Sequence, residues 1–165
     1  MDLTFHSLQK QYLSLLLKWL ETPHVKAFWD QDTTWTPALI EEKYGSYTEN
    51  YKIDSNIKKP IHAFIVYQDN FPIGYIQYYN AYDFPREDGI ELTDLPNSLA
   101  AFDIFIGNIN YIGKGIGPEV IKILLKDYIW KEFNACFVDT ESNNIAALKA
   151  YQKAGFQEIK RSTRE

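Results

Sequence analysis

Gly113-Lys114-Gly115-Ile116-Gly117-Pro118 is the stretch whose reading decides the fold. An apolar run, Leu99 to Ile106, precedes it, and a segment with an apolar stripe, Glu119 to Glu132, follows. A strand, a glycine turn and a helix in that order present bare backbone N–H groups, together with the positive end of the helix dipole, to a phosphate. Glycine suits such a turn because it reaches positive φ and leaves no side chain in the ligand's way. The spacing therefore predicts a phosphate-bearing cofactor at residues 113–118.

Outward from this unit, the chain alternates elements of both kinds. Leu3 to Leu8 reads as a first strand, and Gln11 to Glu21 as a helix closed by Pro23. Thr36 and Pro37 have the cap and first-turn chemistry of a helix start, with Ile40, Tyr44 and Tyr47 on one face. Ile61 to Tyr67 and Ile73 to Tyr79 are strand runs joined by a turn at Gln68-Asp69-Asn70-Phe71-Pro72. Asn80 to Ser98 reads as a loop carrying Asp83, Glu87, Asp88, Glu91 and Asp94. After the glycine turn, Val120, Ile121, Leu124, Leu125, Tyr128 and Ile129 recur at core spacing. A short strand is expected at Ala135 to Asp139, a helix at Asn144 to Ala154 closed by Gly155, and the start of one more strand at Phe156 to Ile159. Hairpin strands first, then strand–helix–strand–helix, predict an α/β protein of the mixed α+β kind, with a sheet of antiparallel and parallel parts. No linker or repeat divides residues 1–165, so a single domain is expected.

Composition narrows the partners. The formal net charge is −5, which argues against nucleic acid and permits a cationic substrate. The apolar run Tyr12 to Leu20 is too short to span a bilayer and contains Lys18, so no membrane association is expected. One cysteine, Cys136, excludes a disulfide framework and fits a cytoplasmic protein; it reads as strand filler. No residues have metal-ligand spacing, and His24 and His62 stand isolated, as structural or surface residues. Aromatics make up 16% of the chain, enough for a packed core and an aromatic-lined pocket together.

The glycines fit neither of two well-known nucleotide loops. Gly113, Gly115 and Gly117 give G-x-G-x-G, which does not complete the dinucleotide fingerprint. Gly107 lies one residue too far from Lys114 for a P-loop, and Gly115 follows the lysine where a hydroxyl is required. Ile112-Gly113-Lys114-Gly115-Ile116-Gly117 instead resembles the pyrophosphate loop of the GNAT acyl-CoA N-acyltransferases, with Ile112 in place of that family's Arg or Gln. Asn144-Ile145-Ala146-Ala147-Leu148-Lys149-Ala150-Tyr151, followed by Gly155-Phe156, resembles a second element of the family.

Within the family, most of the chain is similar to the aminoglycoside 6′-N-acetyltransferases. Trp19-Leu20, His24-Val25 and Phe28-Trp29 look like that group's first helix and following loop. Pro72-Ile73-Gly74-Tyr75-Ile76-Gln77 and Tyr79 look like its central hairpin strand. Asp103 and Asp139 stand where the group carries acidic residues. The acyltransferases of siderophore synthesis share parts of the pattern.

The resemblance implies a GNAT fold and transfer of an acetyl group from acetyl-CoA to a primary amine, with no metal. Asp103 interrupts the apolar strand Ala101 to Ile106. Partial desolvation there raises a carboxylate's pKa and suits it to act as base; pairing to a buried cation or to backbone N–H groups is the structural alternative. Tyr151 is implied as the acid toward the leaving thiolate. Ile104, Phe105 and Ile106 are implied to pair with the pantetheine amides, residues 112–117 with the pyrophosphate, and Asn144 with either, as well as capping its helix. Trp29, Tyr44, Gln77, Asp103 and Asp139 are implied to contact the substrate, and Trp29 and Tyr44 read equally well as core. A different amine acceptor (hydroxylated lysine-like, polyamine or peptide) and an acetyl-CoA-binding module without turnover remain open. The sequence given ends nine residues after Phe156, where the family adds further hairpin strands. Short or missing C-terminal strands are therefore expected, with either a monomer of low stability or a homodimer.

Overall fold

A computed structural model describes residues 2–84, 92 and 94–159, and the elements below are those of the described residues. Glu87, Asp88 and Glu91 of the acidic loop, and Lys160 to Glu165, lie outside them. Strand β1 (Leu3–Ser7) leads into α1 (Leu13–Leu20) and α2 (Pro23–Lys26), then α3 (Pro37–Tyr44). A hairpin follows, β2 (Tyr51–Asp54) and β3 (Ile57–Pro60), then β4 (His62–Gln68), β5 (Phe71–Asn80) and β6 (Leu99–Ile106). Helix α4 (Ile116–Leu124) runs on through a π-helical turn (Leu125–Ile129) into α5 (Trp130–Glu132). Strand β7 (Ala135–Phe137) and α6 (Ile145–Lys153) complete the series.

Five strands form one sheet in the order β1-β4-β5-β6-β7, antiparallel except for the parallel β6–β7 pair. This is the mixed sheet expected. Alternating side chains take opposite faces of each strand. Ala63, Ile65, Tyr75 and Phe105 join Leu16, Trp19, Leu20 and Tyr44 under α1 and α3. Phe64, Val66, Ile76 and Phe102 join Val120, Ile121 and Leu124 of α4 on the other side.

Local chemistry sets the helix ends. The Thr36 hydroxyl accepts from the Leu39 N–H at 3.2 Å, with Pro37 in the first turn. Pro23 follows the first helix as expected, but it also opens α2. The helix after the glycine turn begins at Ile116 rather than Glu119, because Gly115 in left-handed geometry (φ 74°) serves as its N-cap. The π-helical turn keeps Leu125 and Ile129 buried and stacks Tyr128 on Phe5, with 5.5 Å between ring centroids.

Three expectations differ. The hairpin β2–β3 is absent from the sequence reading, because its turn carries Ser55 and Asn56 at positive φ (52° and 65°), without the glycine that normally signals such a turn. Strand β7 ends at Phe137, two residues before Asp139. Phe156 to Ile159 does not form a strand; Phe156 turns back, and its ring packs against Phe102 at 5.7 Å.

Candidate functional site

Strand β6 organises the site because its two ends differ. Leu99, Ala100 and Ala101 pair with Ala135, Cys136 and Phe137 of β7, and there β7 stops. Beyond that point β6 has β5 on one side and no strand on the other among the described residues. The Gly107 N–H donates to the Ile73 carbonyl at 2.8 Å, which makes Ile106 and Gly74 a non-hydrogen-bonded pair of the β5–β6 ladder. By alternation, the backbone N–H and C=O groups of Ile104 and Ile106 point away from β5, toward the open side. Phe105, the middle residue of the expected pantetheine-pairing trio, directs its backbone into the sheet instead.

The odd-numbered face of β6 carries a closed polar network. Asp103 lies directly opposite Gln77. The Gln77 amide N–H donates to Asp103 Oδ2 at 2.8 Å, and the Tyr79 hydroxyl donates to the same oxygen at 3.0 Å. Gln77 Oε1 in turn accepts from the Tyr75 hydroxyl at 2.5 Å. Tyr75, Gln77 and Tyr79 share one face of β5 because they are two residues apart. Gln77 is buried, so its amide is satisfied by these partners rather than by water. Trp29 closes this side: its indole packs edge-on to Phe105 (4.9 Å) and Tyr75 (6.1 Å), and its N–H donates to the Tyr44 hydroxyl at 3.2 Å. Tyr44 is fully buried behind Trp29, so the core half of its reading describes this structure.

On the even-numbered face, Tyr151 of α6 packs edge-on to Phe102 at 5.9 Å. Burial, and then the charges of Asp103 and Asp139, push its phenol pKa above the ordinary value. The effect of both carboxylates places Tyr151 within their field, although Asp103 points to the opposite face. Asn144 caps α6, its side-chain oxygen accepting from the Ala147 N–H at 3.3 Å. Asp139 lies beyond the end of β7, half-buried.

The glycine turn borders the same face. Gly113 and Gly115 both take φ 74°, and nothing lies within 4 Å of where a Cβ would stand on either. Conformation, not crowding by the protein, accounts for both glycines. Ile112, Lys114 and both glycines are exposed, while Ile116 is buried and anchors the start of α4. A Cβ on Gly117 would stand 3.8 Å from Ala150, so the head of α4 and the body of α6 are neighbours. The first N–H groups of α4 lack partners within the helix. Among the described residues, no group of three His, Cys, Asp or Glu could hold a metal ion. No helix among them is long and apolar enough to cross a membrane.

Of the residues the sequence singled out, Gln77 and Trp29 meet Asp103 and Phe105 on one face of β6, and Tyr151 meets Phe102 on the other. Sequence reasoning did not assign Tyr75 and Tyr79 to the site. The signal was their period of two with Gln77 on a strand already identified.

The chain is similar to known proteins over most of its length. Aminoglycoside N(6′)-acetyltransferases type 1 from Klebsiella pneumoniae and from Serratia marcescens are each 24% identical to the chain over 157 residues, 94% of this chain and 74% of theirs. The structure of aminoglycoside acetyltransferase AAC(6′)-Ib with coenzyme A superposes with a TM-score of 0.78 at 24% identity, covering 96% of this chain and 86% of that one. Spermidine N-acetyltransferase from Vibrio cholerae, in complex with CoA and spermine, superposes with a TM-score of 0.70 at 19% identity, covering 96% and 82%. The acetyltransferase (GNAT) domain profile matches residues 9–163, a span that takes in the β5–β6 network, the glycine turn and α6, and the chain belongs to that family.

Proposed function

We propose that this acetyltransferase moves the acetyl group of acetyl-CoA to a primary amine of a small polycationic substrate, with the 6′-amine of an aminoglycoside as the acceptor. The observation that carries the reading is Asp103, held by Gln77 and Tyr79 on one face of β6, beside a stretch of strand edge that faces no other strand. The relatives named above, which acetylate aminoglycosides, supply the substrate class.

Acetyl-CoA lies with its pyrophosphate on the N–H groups of residues 113–117 and the start of α4, where any residue serves, Ile112 included. Its pantetheine amides pair with the cleft-facing backbone of Ile104 and Ile106, as an added strand would. Asn144 uses its oxygen for the cap, which leaves its NH2 as a donor to the cofactor. The substrate's ammonium groups meet Asp103 and Asp139, while the Trp29 indole, backed by Tyr44, offers an aromatic face.

The ammonium gives a proton to Asp103, directly or through a water. The amine nitrogen then attacks the thioester carbonyl, a C–N bond forms, and the C–S bond breaks as the tetrahedral intermediate collapses. The sulfur leaves as a thiolate and takes a proton from Tyr151. The second proton of the amine nitrogen, shed as the amide forms, returns to the Tyr151 phenolate. The raised pKa of Tyr151 keeps that proton in place until it is needed. Protonation of Asp103 removes one of the two charges that raise it, so the base step eases the acid step.

A polyamine acceptor is the second reading. It is favoured by the fold shared with a spermidine acetyltransferase, and it presents similarly spaced ammonium groups. The test is thiol release from acetyl-CoA with kanamycin, tobramycin or spermine, by wild type and by Asp103→Asn. Release with the aminoglycosides that collapses in the variant supports the first reading. Release with spermine alone replaces it, and release that survives Asp103→Asn removes the aspartate from its role. We place the enzyme in the cytoplasm, the compartment its single unpaired cysteine fits.

A further inference from the structure

His24 is a partly buried titratable residue that the reaction above does not use. Its Nε2 lies 2.9 Å from the Ile106 carbonyl oxygen, across 82 residues of chain. A carbonyl only accepts, so Nε2 carries the hydrogen. Nδ1 is buried and finds no partner among the described residues. The ring's one polar task is therefore to donate to Ile106.

That carbonyl has a special position. Ile106 is the last residue of β6 and turns its backbone to the open side, past the end of β7. Its neighbours in sequence are held by the same corner of the chain. The Trp29 indole packs on Phe105, and the Trp19 indole lies where a side chain on Gly107 would stand. Three consecutive residues at the end of β6 are thus gripped by three side chains from residues 19–29. Of the three, only His24 bonds a backbone group on the cleft side.

We propose that His24 is a positioning residue for the pantetheine arm, an inference that rests on the acetyl-CoA reading. By occupying the Ile106 carbonyl, His24 closes one end of the exposed edge and fixes the plane of the following peptide. The cleft-facing groups left for the cofactor near this end are then the Ile106 N–H and the N–H and C=O of Ile104. A ligand amide finds these groups in one fixed register. Without the imidazole donor, the carbonyl is an unclaimed acceptor that competes for the same amides and lets the strand end turn.

The experiment compares binding of CoA and of 3′,5′-ADP, which lacks the pantetheine arm, by calorimetry. Wild type is set against His24→Phe, which keeps a ring without a donor, and His24→Gln, whose amide nitrogen can donate at similar reach. The expected result is an affinity loss for CoA of about tenfold in His24→Phe, the scale of one hydrogen bond to a fixed group. It should be largely restored in His24→Gln, with 3′,5′-ADP affinity unchanged in both. Equal loss for both ligands, or none for either, overturns the inference. If His24→Phe fails to fold, His24→Leu, which also lacks a donor, is read by the same measure: a selective loss of CoA affinity of about tenfold supports the role, and equal loss for both ligands or none for either overturns it. Failure of wild type to bind CoA would instead sink the cofactor reading itself.

Discussion

The two faces of β6 share a backbone and have opposite chemistry. On one, Asp103 meets Gln77 and Tyr79 in a polar network backed by Trp29 and Tyr75. On the other, Phe102 packs against Tyr151 and Phe156, and the nearby glycine turn is open. The difference teaches how one strand can serve two reactants. A charged acceptor bound as proposed needs fixed polar partners, and that face supplies them in Asp103, Gln77 and Tyr79. A long, flexible cofactor needs backbone groups and room, so the other side is left unfinished at its edge. Among the described residues β7 stops short beside both faces, and the proposed reaction joins acceptor and thioester there.

The most direct way to break this division is Asp103→Asn, which keeps the shape of the network and removes the proposed base. Its kcat is expected to fall about 10²- to 10⁴-fold with little change in melting temperature, read by thiol release and thermal unfolding side by side. Parallel loss of stability would mean that Asp103 is there for packing.

Gly107→Ala tests the finished side from below. A methyl group there overlaps the Trp19 indole, so a cost of about 1–3 kcal/mol in unfolding free energy is expected, measured in urea.

Alkaline pH probes the buried aromatics of the same side. Burial pushes Tyr44 and Tyr75 well above the ordinary phenol value, and Cys136 of β7 up to about 12. The folded chain keeps protons that the unfolded chain releases, so stability falls as pH rises. The melting temperature should hold to about pH 8, begin to drop as unfolded cysteine ionises, and drop steeply above about pH 10. A melting temperature that stays level through pH 11 would mean that these phenols ionise in place.

Gly115→Ala, the mildest change, acts on the unfinished side. It should cost about 1 kcal/mol of stability through φ alone, since no atom waits there to clash. Its larger effect should be on CoA affinity, because any new side chain stands where phosphate approaches.

Much of this arrangement was legible in the sequence because it rests on short-range signals. The glycine turn, the Thr36-Pro37 helix start, the Asn144 cap and the β4–β5 turn are each encoded within a few residues. Asp103 stood out as one charge in an apolar strand. The rest depends on register and termination, which are tertiary. No local signal says that β7 ends at Phe137, because Val138 and Asp139 continue the pattern of a strand. Pairing of Gln77 with Asp103 follows only from the β5–β6 register across a long loop. The bond from His24 to Ile106 spans 82 residues and has no periodicity to announce it. The burial of Tyr44 is similar: its spacing with Ile40 marks a face, but not which side of Trp29 it takes.

The stretch of β6 edge beyond β7, which faces no strand among the described residues, has a consequence for the life of the protein in a cell. A strand edge with vacant N–H and C=O groups invites the edge of another molecule, which is how aggregation begins. A cofactor bound as proposed would cover that edge and stabilise the fold by mass action, by about 2.7 kcal/mol at a hundred times its dissociation constant. The metabolite that supplies the acetyl group would then also act as a chaperone for the chain. Abundance of the enzyme would track the supply of its own co-substrate, and starved cells would lose the protein as well as the reaction.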